Sequence, residues 1–282
     1  MQVKSKSELV YIASDVRSGS TLLDLMLGSH SEVSSVGEIQ FLMDHFSRTG
    51  MGRTWEWKCT CGMDFDRCEF WSEINRLVYE KTGDNICDRE TWVRRVKQPF
   101  FRMAMPDFLF TKFSEGKAHI SIGLEASRYC WEVIDSIAEM TGKKIIVDSS
   151  KNAEQFRYLL YWRPSSVKII HLIRDGRGVV HSKMTRAGDT ARKATKNWVL
   201  ENLKLSVVKN FVPSNKRLTI KYEDLCQSPE SEISKIFSFM GISNQDNLLS
   251  AKDRHNVCGS PHRFDWKNME IRLDERWKTD FS

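Results

Sequence analysis

The sequence predicts a three-layer α/β/α fold: a central parallel sheet covered by helices on both faces, interrupted by a mostly helical insertion. Three observations lead there. Short apolar runs alternate with helical patterns, the order expected of a parallel sheet. Each run ends in a polar or charged segment. No internal repeat, low-complexity tract or long Gly/Ser/Pro linker divides the 282 residues, so one domain spanning 1–282 with one large core is expected.

The first strand is Leu9-Val10-Tyr11-Ile12-Ala13, a short apolar run of the buried kind. Ser14 to Gly19 is a polar turn, and Thr21-Leu22-Leu23-Asp24-Leu25-Met26-Leu27 has helical composition and spacing. Strand, small-residue loop and helix in that order open a nucleotide-binding α/β fold. Lys144–Val147 and Val167–Ile173 are the next strands, ending in Asp148-Ser149-Ser150-Lys151 and Arg174-Asp175-Gly176-Arg177. Leu218 to Tyr222 is a fourth. Helical patterns lie near 124–140, 152–161, 190–210 and 229–240. In such sheets ligands bind beyond the carboxyl ends of the strands, where the charged segments fall. Residues from about 44 to 118 break the rhythm and carry Trp55, Trp57, Trp71, Phe100, Phe101 and Phe108. They read as an insertion packed over the sheet, most of these rings in the core and a minority lining a pocket.

The formal charge of +6 fits either a solvated surface or a polyanionic ligand. No long basic run or basic–aromatic repeat accompanies it, which disfavours nucleic acid. No stretch approaches the ~18–20 apolar residues that cross a bilayer. Met1 to Glu8 is polar with no signal-peptide core behind it, so a soluble, cytoplasmic protein without a membrane partner is expected. Seven cysteines, an odd number, do not suggest a secreted disulfide scaffold.

Two segments are built for anions. Arg17-Ser18-Gly19-Ser20-Thr21 sits where a helix begins, and a helix start exposes backbone N–H groups and the positive end of its dipole. Gly19 lets the backbone approach an oxyanion, Ser18, Ser20 and Thr21 add hydroxyl donors, and Arg17 adds a charged fork. This is not a Walker A loop, because no Gly-Lys-Ser/Thr is present, which counts against a nucleotide or small-molecule kinase. The second segment delivers Arg174 at the end of a strand and Ser182 and Arg186 on the following helix. Positions 182 and 186 share a helix face, so one hydroxyl and two guanidinium groups can converge on a phosphate dianion.

These residues resemble the sulfotransferases that use 3′-phosphoadenosine-5′-phosphosulfate (PAPS). Arg17-Ser-Gly-Ser-Thr-Leu-Leu, then Leu27-Gly-Ser-His-Ser and Gly37-Glu38, is similar to their 5′-phosphosulfate loop, most of all to the group with the tyrosylprotein and carbohydrate enzymes. The block from His171 to Arg186 is similar to their 3′-phosphate motif. The resemblance implies a P-loop NTPase-like sheet and a donor site in which residues 17–21 hold the 5′ end, Arg174 and Ser182 hold the 3′-phosphate, and Arg186 assists. Tyr222, in Lys-Tyr-Glu-Asp-Leu, matches a position near the nucleotide, or anchors a strand end. Gly259-Ser-Pro-His-Arg263-Phe and Asp274-Glu-Arg276-Trp277 look like the final loop over the nucleotide, although many relatives have Gly-Asn where this chain has Gly259-Ser260. Arg263 or Arg276 then completes the phosphate contacts, or forms surface ion pairs.

The same resemblance implies catalytic roles. Lys151 would contact the transferring sulfate and Glu38 would be the general base, with His30 in reserve or merely capping its helix. Leaving-group charge would be met by Arg17 and loop amides, with no metal required. The expected partners are a nucleotide donor and a small-molecule acceptor, a natural product or sugar bearing a hydroxyl. An amine or guanidine acceptor is the alternative, and a third reading is a nucleotide-binding module without turnover.

Cys59-Thr-Cys61-Gly-Met-Asp-Phe-Asp-Arg-Cys68-Glu-Phe-Trp71 stands apart. A structural zinc site uses four ligands. Three are present, and Cys87 or His45 is a conceivable fourth. Bound metal, a disulfide and free thiols all remain open. Some bacterial sulfotransferases have a similar segment, which implies a role in shaping the insertion.

Overall fold

The computed structural model describes residues 7–39, 58–86, 88, 117–245, 249, 254–265 and 270–280. Five strands among them form one sheet: β1 (Glu8–Ala13), β2 (Val33–Ser35), β3 (Ile145–Asp148), β4 (Val167–Ile173) and β5 (Arg217–Lys221). Their order is β2-β3-β1-β4-β5, and every neighbouring pair is parallel. Nine α-helices accompany them in the described residues: α1 (Ser20–Leu27), α2 (Glu69–Thr82), α3 (Lys117–Thr141), α4 (Ala153–Trp162), α5 (Gly176–Ala187), α6 (Ala191–Lys209), α7 (Tyr222–Gln227), α8 (Pro229–Met240) and α9 (Trp277–Asp280).

Side chains alternate across a strand, and the core divides accordingly. Leu9, Tyr11 and Ala13 of β1 face one apolar layer, shared with Trp71, Ile74 and Val78 of α2, Ile134 and Ile137 of α3, and Phe156 and Leu159 of α4. Val10 and Ile12 face the other, with Leu23, Met26 and Leu27 of α1 and Ile233, Ile236 and Phe237 of α8. Both faces of β1 are therefore dry, which is why it reads as an unbroken apolar run. Each such buried Leu, Ile or Phe contributes roughly 1.5–3 kcal/mol of transfer free energy.

The strands expected at 9–13, 144–147 and 167–173 are present. The fourth ends one residue early, because Tyr222 opens α7 instead of closing the strand. β2 is not among the expected strands. Its three residues, two of them serines, carry no apolar run and are held in place by pairing with β3. In the insertion, an antiparallel bridge joins Lys58 and Asp64, a 3₁₀ turn spans Phe65–Arg67, and α2 follows with Trp71 fully buried. Trp55, Trp57, Phe100, Phe101 and Phe108 lie outside the described residues. No helix among the described residues is long and apolar enough to cross a membrane.

After β1 the chain turns to one edge of the sheet, towards β2 and β3, while β4 and β5 lie on the other side. That reversal at the carboxyl end of β1 is where α/β sheets open a crevice.

Candidate active site

Three strand-end loops build one wall of a cleft of about 1360 Å³. In the loop after β1, Arg17 has φ +72° and Gly19 has φ +90°. The left-handed conformation is costly for Arg17, of the order of 1–2 kcal/mol. At Gly19 a side chain would also clash, since a Cβ would stand 2.4 Å from Cδ2 of Tyr222. Gly19 offers no side-chain cap, so first-turn N–H groups of α1 are left for a ligand. Behind the loop, Lys183 of α5 donates to Asp15 at 2.6 Å, both side chains buried. Burial pushes the Asp15 carboxyl up, and its bond to Lys183 opposes the shift.

The loop after β3 is folded around Asp148, whose Oδ1 accepts from the N–H of Ser150 at 2.9 Å, the N–H of Ile39 at 3.3 Å and the Ser150 hydroxyl. Burial pushes Asp148 up to about 7. Lys151 follows with φ +68° and pairs through Nζ with Oε1 of Glu38, both side chains almost buried. Glu38 is fixed by its backbone. Its N–H donates to the carbonyl of Val257 at 3.1 Å, and the Ser149 N–H donates to the carbonyl of Gly37 at 2.8 Å. Gly37 has φ +82°, and a Cβ there would lie 2.1 Å from the Val257 oxygen.

The loop after β4 presents Arg174. Its Nη1 donates to the Arg17 carbonyl at 2.9 Å, its Nη2 donates to the Asp274 carbonyl at 3.0 Å, and its guanidinium lies 4.5 Å from the Tyr222 ring centroid. Asp175 caps α5 by accepting from the Arg177 N–H. Ser182 and Arg186, one helical turn apart, both line the cleft. Burial pushes the Tyr222 phenol up to about 12, so it remains protonated at neutral pH.

The opposite wall comes from the C-terminal segments, Gly259 to His262 and Glu270 to Arg276 apart from Ile271. The Ser260 N–H donates to Oγ1 of Thr21 at 3.2 Å, joining the walls. Arg276 grips Asp274 with Nε and Nη2 at 2.8 and 2.9 Å, which together with Arg174 holds the Asp274 carboxyl well below the usual carboxylate range. Burial, with Arg186 and Arg17 nearby, lowers the His262 imidazole, which stands 3.4 Å from Nη1 of Arg186.

The structure thus brings Arg17, Gly19, Ser20, Thr21, Glu38, Lys151, Arg174, Ser182, Arg186, Tyr222 and Arg276 to one cleft. Ser18 is buried beneath its loop and is not in the lining. Two expectations are corrected. His30 does not reach the cleft: its Nδ1 accepts from the Glu32 N–H at 3.1 Å, its Nε2 lies 3.0 Å from the Ser243 carbonyl, and its ring packs edge-on against Phe237. Both nitrogens are engaged in holding the exit of α1, so it is no reserve base. Arg263 is also buried away from the cleft, donating from Nη2 to the Lys58 carbonyl at 3.0 Å and lying over Phe264. It ties the insertion to the C-terminal segment and is no phosphate contact.

His262 and Asp274 also line the cleft; they lie in the two segments read as the loop over the nucleotide, but were not singled out as site residues. Near Cys59, Cys61 and Cys68 stands a fourth ligand-bearing side chain that the sequence reading did not name, His255. Cys87 and His45 lie outside the described residues.

A five-stranded parallel sheet with cations gathered at its switch point defines a doubly wound α/β protein with a cationic cleft. The chain belongs to the sulfotransferase family, whose family model matches residues 10–246. Among solved structures, the fold is similar to a sulfotransferase domain from the curacin biosynthetic pathway (TM-score 0.55, 15% identity, covering 98% of this chain and 90% of that one). It is also similar to a sulfotransferase domain of an olefin synthase from Synechococcus (TM-score 0.51, 18% identity, 100% and 97% covered). A sulfotransferase from Mycobacterium tuberculosis matches at TM-score 0.53 with 10% identity, over 99% of this chain and 77% of that one. No curated protein matches the chain in sequence.

Proposed function

We propose that this sulfotransferase moves a sulfuryl group from PAPS to a hydroxyl of a small molecule by in-line displacement, giving a sulfate ester and 3′,5′-ADP. The observation that carries the reading is that the Arg17–Thr21 loop and the Arg174–Ser182–Arg186 group line one cleft, with Arg174 bonded to the backbone of Arg17. Two anion cradles side by side suit the two phosphorylated ends of one adenosine. The cleft volume of about 1360 Å³ exceeds the ~300–1,000 Å³ of an ordinary ligand pocket, which leaves space for an acceptor beside the donor.

In this reading residues 17–21 grip the 5′-phosphosulfate, with first-turn amides and Arg17 meeting the charge that gathers on the bridging oxygen as the S–O bond breaks. Arg174 and Ser182 hold the 3′-phosphate, with Arg186 beside them. Tyr222 packs beneath Gly19 and Arg174 and keeps the cradles in register. Lys151 contacts the transferring sulfuryl group, releasing Glu38 to take the acceptor proton as its oxygen attacks sulfur.

The test uses sulfur-labelled PAPS against a panel of alcohols, sugars, amines and guanidines. Label should pass to at least one hydroxyl acceptor, with 3′,5′-ADP formed in equal amount. Transfer to amines or guanidines alone would replace the ester-forming reading, and no transfer to any class would contradict it. In a thermal shift, 3′,5′-ADP should stabilise the protein more than ATP with magnesium; equal protection would count against a PAPS site.

A further inference from the structure

Away from the cleft lining, four ligand-bearing side chains meet between the insertion and the C-terminal segment. The thiols of Cys59, Cys61 and Cys68 and a ring nitrogen of His255 all lie within 4.8 Å of one another. We propose that these four residues bind one zinc ion, forming a structural metal site that staples residues 58–71 to the strand-like segment 255–257. The inference does not rest on the sulfuryl-transfer reading.

The spacing is that of a coordination shell. Around a tetrahedral zinc, with Zn–S about 2.3 Å and Zn–N about 2.0–2.1 Å, neighbouring ligand atoms stand about 3.5–3.8 Å apart. Here Cys61 Sγ to Cys68 Sγ is 3.6 Å, and Nδ1 of His255 is 3.5 Å from Cys59 Sγ and 3.3 Å from Cys68 Sγ. A set of three thiolates and one imidazole suits zinc, and four protein ligands leave no open position for catalysis.

Local structure presents each ligand. The Cys59 N–H donates to the Met63 carbonyl at 3.0 Å and the Gly62 N–H to the Cys59 carbonyl at 2.9 Å, a tight turn that brings Cys59 and Cys61 together. Gly62 takes φ +90° there. Cys68 is the N-cap of α2, where the helix dipole favours a thiolate. His255 is held from outside the cluster: the Phe70 ring stacks on it at 4.6 Å with planes 3° apart, and Trp71 Nε1 donates to its carbonyl at 2.9 Å. Such supporting contacts orient a metal-binding imidazole.

The flanking residues give the staple its reach. Residues 254 to 257 alternate: Arg254 and Asn256 turn towards α1, bonding Leu25, Ser29 and Asp24, while His255 turns to the cysteines. Val257 then pairs with Val36 and Glu38. Fixing His255 therefore fixes the backbone that positions Glu38.

Metal analysis of the full chain, purified under reducing conditions, should find about one zinc per chain. Replacement by cobalt(II) should give the intense visible bands of a tetrahedral site and a thiolate-to-cobalt charge-transfer band. Cys68→Ser and His255→Ala should each fall below about a tenth of an equivalent after dialysis, whereas Cys130→Ala, outside the cluster, should keep its metal. If those variants do not fold, the wild-type cobalt spectrum still decides. Wild-type protein with neither zinc nor tetrahedral cobalt absorption, or with two of the three cysteines recovered as a disulfide from reduced, metal-supplemented protein, would overturn the proposal.

Discussion

The two walls of the cleft are built on opposite principles. The strand-end wall brings four cations, Arg17, Lys151, Arg174 and Arg186, against one carboxylate, Glu38. The C-terminal wall brings two, Arg272 and Arg276, against three, Glu270, Asp274 and Glu275. Arg174 is buried, bonded to two backbone carbonyls, set over a ring and 3.3 Å from Oδ2 of Asp274, whereas the Arg276 side chain is 58% exposed and paired within its own segment. Charge held in low dielectric, with its donors preorganised, acts on a ligand more strongly than charge shared with water. The first wall is therefore the one that should hold the donor, and the second the one that covers it.

The largest expected effect falls on the single carboxylate of the cationic wall. Glu38→Gln should lower kcat by ~10²–10⁴ with an acceptor found in the panel, while the affinity for 3′,5′-ADP changes little. A parallel loss of nucleotide affinity would make Glu38 part of the cradle instead. Next is the support behind that wall. Lys183→Met should cost ~3–5 kcal/mol in urea unfolding, because it strands the buried Asp15 carboxyl. An unchanged midpoint would mean the loop does not depend on that pair.

The comparison sharpens with two arginines. Arg174→Ala should weaken 3′,5′-ADP binding by ~1.5–3 kcal/mol in calorimetry, and Arg276→Ala by under ~1 kcal/mol, an effect that fades in high salt. Equal losses would erase the difference between the walls.

The smallest effect lies on the seam joining them, where Asn256 donates to Asp24 at 2.7 Å. Burial pushes the Asp24 carboxyl up to about 7. An acid raised on folding stabilises the protein fully only below its unfolded pKa near 4, and that contribution is lost as pH rises through about 7. Stability of the wild type relative to Asp24→Asn should thus fall by about 1–2 kcal/mol between roughly pH 6 and 8. A difference flat with pH would place the proton elsewhere.

The same contrast governs what the sequence makes legible. Arg17 to Thr21 and Arg174 to Arg186 are contiguous, each a strand end, a turn and a helix start, so their chemistry can be read in one pass. Glu38 and Lys151 also follow strand ends and read almost as well, although β2, only Val33–Ser35, leaves no mark of its own. The chain that leads into the other wall depends on distant pairings: His255 lies 196 residues from Cys59, and Asn256 lies 232 from Asp24. Local patterns carry no register for such contacts. His30 and Arg263 fail for a related reason, since their residue types suit an anion site while their actual partners, Ser243 and Lys58, are distant in sequence. One signal for His255 was present: three clustered cysteines are one ligand short of a zinc set, and the chain has seven histidines to supply it.

The central claim is that the two cradles grip opposite ends of one nucleotide, and the ratio of Kd for 5′-AMP to Kd for 3′,5′-ADP tests it most directly. The ratio should be at least about tenfold in the wild type and collapse towards one in Arg174→Ala, because only the 3′-phosphate is lost between the ligands. A wild type indifferent to the 3′-phosphate, or an Arg174→Ala variant that still discriminates as well, would contradict the account.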